Sequence, residues 1–126
     1  MIKTLNFNPE YDIKLLCTCG HELCDQRSVS QAHLNRVQVV REDVGHALPV
    51  TSGGRCEHHP NELHRTTPAD HQKRQGCDVG VNGGTRGNVV RAGIDAGCNA
   101  IGVAKTFVHL GYRSELPKGH ITMWVY

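Results

Sequence analysis

From residue 48 onward, apolar and β-branched residues come in short runs that glycine, asparagine, lysine or proline cut off. The runs are 48–52, closed by Gly53-Gly54; 77–81, closed by Asn82-Gly83-Gly84; then 100–103, 106–112 and 121–126. Segments of four to seven residues rich in valine, isoleucine, threonine and aromatics read as strands, because a helix that short buries too little. The second half of the chain is therefore expected to be mostly sheet.

Two segments depart from this pattern. Over residues 28–44, Val29, His33, Val37, Val40 and Val44 recur at spacings of three and four, with Ser28 or Ser30 placed as N-cap, which predicts an amphipathic helix. A second helix is expected over 88–96, started by Thr85 or Asn88 and stopped by Gly97, with Gly93 as an internal weakness. Between 56 and 75 the chain is polar and without period, carrying Pro60, Pro68 and four of the nine histidines. A structureless stretch of that length is uncommon unless functional. The expected fold class is α+β, a small mainly antiparallel sheet with two main helices on one side and a long active-site loop, all within a single domain spanning 1–126.

Composition narrows the function classes. Lys+Arg 14 against Asp+Glu 12 gives a net +2 with the basic residues scattered, so neither nucleic acid nor an anionic membrane is an expected partner. No apolar run approaches the roughly 18 residues that span a bilayer, and the opening residues lack the basic-then-apolar order of a secretory signal. Cytoplasmic synthesis is the expectation. Six cysteines could form up to three disulfides in an oxidising compartment, but without such a signal reduced thiols are expected.

Three residues stand out chemically. His71 ends the polar loop, Asp78 opens an apolar strand, and His109 sits inside Phe107-Val108-His109-Leu110. A carboxylate and an imidazole buried in such strands must be paired or ligated. Two histidines and a carboxylate are one form of catalytic zinc set, with the fourth position left to water. Taken singly, His109 also reads as a hydrogen-bonded core histidine and Asp78 as a strand-end cap.

The order of the neighbours favours the metal. Leu48-Pro-Val-Thr-Ser-Gly-Gly-Arg-Cys-Glu-His-His-Pro-Asn61, then Ala69-Asp-His71 with Asp78 seven residues on, then Ile101-Gly-Val, Phe107-Val-His109 and Trp124-Val-Tyr126, resemble the M15 family of zinc peptidases. The likeness runs from about Leu15 to the C-terminus and is greatest to the small carboxypeptidase-like branch of phage and prophage genomes. The resemblance implies Zn2+ held by His71, Asp78 and His109, and a substrate carboxylate received by Arg55, whose guanidinium suits it bidentately. Gly53-Gly54 would give the chain a sharp turn there, and Ser52 and Asn61 would hold the loop. Ser52 and Arg55 are thus the expected substrate-binding residues.

The chain also departs from the family pattern. Arg74 stands where a glycine is common and is expected to point outward; Gly76 replaces a common alanine. Thr106 stands where many members have an acid three before the second histidine, and Gly111 where this branch often has an aspartate two after it. The catalytic base is therefore unassigned, with Glu57 and Glu115 the nearest acids in sequence.

The resemblance implies a zinc metallopeptidase that hydrolyses peptidoglycan peptides next to a D-amino acid, as a carboxypeptidase or endolysin-like enzyme. It would be monomeric and would reach the cell wall after release or delivery. The alternative is a catalytically inactive, zinc-stabilised cell-wall binding module, motivated by Thr106 and Gly111. A nucleic-acid-binding zinc knuckle is disfavoured, because no basic patch or interleaved aromatics accompany the cysteines. Separately, Cys17-Thr-Cys19-Gly-His21-Glu-Leu-Cys24 offers zinc-type ligands without the paired C-x-x-C spacing of zinc ribbons. A structural zinc, a disulfide and free packed cysteines all remain open for it. Cys56 and Cys77 are read as thiols that pack near the His71 site.

Overall fold

Ser30 begins the first helix. Its extended backbone turns the chain while its hydroxyl accepts from the His33 amide at 3.1 Å, which satisfies one of the free N–H groups of the first turn. Helix α1 (Gln31–Val44) follows and ends at Gly45, whose φ of 74° is the left-handed cap conformation. Helix α2 (Arg86–Asp95) starts two residues earlier than the sequence suggests, because the Asn82 side chain accepts from the Gly84 and Thr85 amides and organises the preceding turn. The five expected strands form as β1 (Val50–Ser52), β2 (Gly76–Gly80), β3 (Ala100–Val103), β4 (Phe107–Gly111) and β5 (Thr122–Val125). The structure is a computed structural model and describes all 126 residues.

The sheet runs β1-β2-β4-β3-β5. All pairings are antiparallel except β3 with β5, so the expected α+β architecture is what forms. Strand alternation divides its residues between two faces. Cys77, Val79, Ile101, Val108 and Leu110 point to one face and close a core with Leu34, Val37 and Val40 of α1 and Val89 and Ala92 of α2. His33 belongs to that core. Burial pushes its pKa down to about 4, and its neutral ring donates from Nε2 to the Leu110 carbonyl at 2.9 Å.

The opposite face carries one row of residues drawn from all five strands. Ser52 stands opposite Asp78, Asp78 opposite His109, His109 opposite Gly102, and Gly102 opposite Trp124. A register irregularity in β1 makes the first pairing: Val50 faces Val79, so unbroken antiparallel pairing would bring Thr51 to Asp78 instead of Ser52. The loop from 53 to 75 covers this face in a series of turns with no strand or helix. No helix is long and apolar enough to cross a membrane.

The sequence reading assigned Gly53-Gly54 to a sharp turn, and the structure gives them a different task. Neither has positive φ. A Cβ on Gly53 would lie 2.7 Å from the Leu15 Cα, and one on Gly54 would run into the Arg27 carbonyl. The pair lets the loop press against the N-terminal segment, where the Gly54 amide donates to the Leu15 carbonyl at 2.9 Å. Gly54→Ala is therefore expected to destabilise the fold by about 1–3 kcal/mol, read as a lower denaturation midpoint with the same m-value.

Candidate metal centre

The row geometry brings His71, Asp78 and His109 together. One ligand-type atom of each lies within 4.8 Å of the others, and all three residues are buried. Asp78 Oδ1 is the shared point, 2.8 Å from His109 Nδ1 and 3.4 Å from His71 Nε2. Asp78 and His109 meet because they are direct cross-strand partners on β2 and β4. His71 arrives from the covering loop, in a turn that hydrogen-bonds its backbone to Arg55 and Arg74.

Each histidine has its outer nitrogen occupied. His71 Nδ1 donates to the Gly53 carbonyl at 2.7 Å, which turns Nε2 toward Asp78. His109 Nε2 donates to Asp70 Oδ2 at 2.8 Å and leaves Nδ1 facing the same point. Outer partners of this kind fix ring orientation and raise ligand basicity in metal sites. Two imidazoles and a carboxylate, buried and aimed at one point, are a donor set that fits a divalent transition metal with an open position.

Asp70 is the residue that sequence reasoning passed over. It is 5% exposed, and Arg113 also holds it, with Nε donating at 2.9 Å and Nη2 at 3.3 Å. Its carboxylate lies in a hollow between two glycines. A Cβ on Gly76 would come within 3.0 Å of the Asp70 Cβ, and one on Gly111 within 2.7 Å of Asp70 Oδ2 and His109 Nε2. The two departures at 76 and 111 therefore make room for one acid, delivered from the loop to the side of His109 that an aspartate at 111 would face. Strand parity was the available signal for Arg113, four residues beyond His109; nothing in the sequence marked Asp70 except its place beside His71.

The other expected residues fall around the same cavity, of about 420 Å3. Arg55 lines it, with Nε donating to Ser52 Oγ at 3.0 Å and its two terminal nitrogens 3.4 Å from Glu62 and 3.6 Å from Asp78. Five N–H groups less three contacts leave two for a ligand. Glu62, almost fully buried, also pairs with Arg65 at 3.3 Å, so it orients two of the three arginines that line the cavity. Trp124 forms a wall, its ring centroid 5.3 Å from that of His109 and its indole seated where Gly102 has no side chain. Asn61 reaches the cavity, and Arg74 is exposed, as expected.

Three placements differ from the sequence reading. Glu57 and Glu115 are exposed and do not line the cavity, whose carboxylates are Asp70 and Asp78. Cys77 lies in the core on the helix side of the sheet, because its strand parity is opposite to that of Asp78. Cys56 turns away from the cavity toward the N-terminal cysteines.

The charges of this cluster set a pH dependence for the metal-free protein. Burial opposes ionisation of Asp70, but His109 and Arg113 outweigh it and hold its pKa at about 2. Burial also opposes the Asp78 carboxylate, and hydrogen bonds from His109 and His71 again keep it well below the usual range. His109 shows the reverse: burial disfavours its charge, yet Asp70 and Asp78 together raise its pKa. The depressed acids stabilise the fold above about pH 4 and lose that contribution as pH falls toward about 2. The raised histidine stabilises below about pH 6.5 and loses its contribution as pH climbs through its folded pKa. The contribution of this cluster should therefore be greatest near pH ~5. Buried His33, with its pKa of about 4, works against the fold below about pH 6.5 in any variant. The check is therefore the difference in thermal midpoint between apo parent and apo His109→Ala across pH, which should shrink on both sides of that optimum.

Comparison with protein families gives a match of the peptidase M15 model to residues 6–111, which contains His71, Asp78, His109, Ser52 and Arg55 but stops short of β5. No curated protein and no solved structure matches. With most of its length matched by that model, the chain belongs to the peptidase M15 family.

Proposed function

We propose that this M15-family chain is a zinc metallopeptidase that hydrolyses peptidoglycan peptides next to a D-amino acid. The observation that carries the reading is the convergence of His71 Nε2, Asp78 Oδ1 and His109 Nδ1, with the outer nitrogen of each ring pinned. His71, Asp78 and His109 would hold the zinc. When bound, the ion supplies Lewis acidity toward a scissile carbonyl and toward water.

The protein's own groups do the rest. Arg55, preset by Ser52 and Glu62, offers its remaining N–H groups to a substrate carboxylate. Arg65 and Arg113 add positive potential on the same cavity, which favours a peptide with a free carboxylate. Asp70 keeps His109 turned so that Nδ1 faces the ligand position, and Trp124 shields that side from water. Membership of the M15 family and the three arginines on the cavity support this substrate class.

A second reading has an observation of its own. The only carboxylates on the cavity are Asp78, in the ligand set, and Asp70, locked by Arg113 and His109. Neither is free to take a proton from water, which favours a zinc-stabilised cell-wall binding module without turnover.

Mass spectrometry of muropeptides incubated with zinc-loaded and chelated protein separates the two. Loss of a D-amino acid, or an internal cut, in the zinc sample alone is the expected result; no product from zinc-bound protein would overturn peptidase activity and leave the binding module. His71→Ala and His109→Ala should each abolish zinc retention at this site. Arg55→Ala should keep zinc and lower kcat/KM. Asp70→Asn should weaken zinc affinity by about 10–100-fold, measured by competition with a chromogenic chelator.

A further inference from the structure

A second cluster of ligands lies outside the cavity. Cys17, Cys19, Cys24 and Cys56 bring their sulfurs within 4.8 Å of one another, and no disulfide joins any of them. Cys19 Sγ and Cys56 Sγ are 3.6 Å apart. A tetrahedral thiolate site with Zn–S bonds of about 2.3 Å places its sulfurs about 3.8 Å apart, so the spacing suits one ion at the centre. The fourth ligand, Cys56, lies 32 residues beyond Cys24 in sequence and faces it only through the fold.

The surroundings fit the same role. The Gln26 amide points at Cys24 Sγ at 3.4 Å, the kind of donor that supports a thiolate. Cys17 and Cys56 are each 1% exposed, and the Cys17 amide donates to the Arg27 carbonyl at 2.9 Å. His21 is not part of the set. Its Nδ1 accepts from the Leu23 amide, and its ring stacks on His58 with centroids 4.2 Å apart, closing the two loops beside the sulfurs. The first 30 residues hold a single 3-10 turn, Ile13–Leu15, and one isolated bridge, Leu16 to Ser28. A crosslink would add order to a segment with so little regular structure, which is otherwise held by Phe7, Leu15 and Val29 in the core.

We propose that Cys17, Cys19, Cys24 and Cys56 bind a structural Zn2+ that is distinct from the His71–Asp78–His109 site. Four thiols give up four protons and one Zn2+ enters, leaving a tetrathiolate centre of net charge −2 with no change of oxidation state. Soft thiolates in tetrahedral array select zinc over calcium or magnesium. The centre ties the N-terminal segment to Cys56 and so fixes the neighbouring Arg55.

Native mass spectrometry of the full chain purified under reducing conditions tests this. The expected count is two zinc ions in the parent protein and one in the His71→Ala/His109→Ala variant. Cobalt loaded into that variant should give an intense thiolate-to-metal charge-transfer band. A Cys19→Ser/Cys24→Ser variant that folds should keep only the histidine-site ion, and the histidine variant gives the answer if it does not fold. A folded histidine variant with no metal, or a parent chain lighter by four hydrogens from two disulfides, would overturn the proposal. One ion in the parent and one in the histidine variant would instead support the cysteine site and overturn the His71 site.

Discussion

Asp78 and His109 face each other across the two central strands, buried, at 2.8 Å, and the architecture of the functional face follows from keeping that pair satisfied. An isolated buried carboxylate is costly, so both partners need further company. Asp78 obtains it from His71 and Arg55, and His109 from Asp70. All three of these partners come from the covering loop, residues 53–75. The loop therefore needs no regular structure of its own, because its position is set by the polar groups it supplies to the sheet.

Glycine at particular sheet positions is what lets those groups arrive. Gly76 and Gly111 leave the hollow for Asp70, and Gly102 leaves the place for Trp124. All three lie on the functional face, where large side chains would otherwise fill the space above the strands. The helix face shows the opposite packing, filled by Val79, Ile101, Val108 and Leu110. One sheet thus serves as a close-packed wall on one side and as a set of recesses on the other.

Much of this was legible in the sequence. The five strands, both helices and the unstructured loop follow from run length, three-four periodicity and the lack of any period. The three converging residues were legible through the resemblance to the M15 family, since His71 lies in the polar loop and Asp78 and His109 taken singly also read as a strand-end cap and a core histidine. The helix starts moved by two or three residues because the turns organised by the Ser30 and Asn82 side chains decide them. Asp70 was not legible, since a lone acid in a polar loop carries no period and its partner Arg113 lies 43 residues away. The long-range convergence of Cys56 on the N-terminal cysteines was hidden for the same reason. Gly76 and Gly111 were visible as departures from a family pattern, but their meaning depends on the acid that fills the gap between them.

The segment from Gly53 to Cys56 shows how closely the N-terminal region and the functional face are coupled. The Gly53 carbonyl holds His71, and the Gly54 amide holds the backbone at Leu15. The Arg55 amide donates to the His71 carbonyl at 3.2 Å while its side chain enters the cavity, and Cys56 points the other way into the sulfur cluster. Successive residues thus serve His71, the N-terminal packing, the cavity and the cysteines. A shift of this strip by one residue would break all four at once. Its absence of side chains at 53 and 54 then has a positional cause: only bare backbone passes between Leu15 and Arg27 closely enough to present Arg55 and Cys56 on opposite sides.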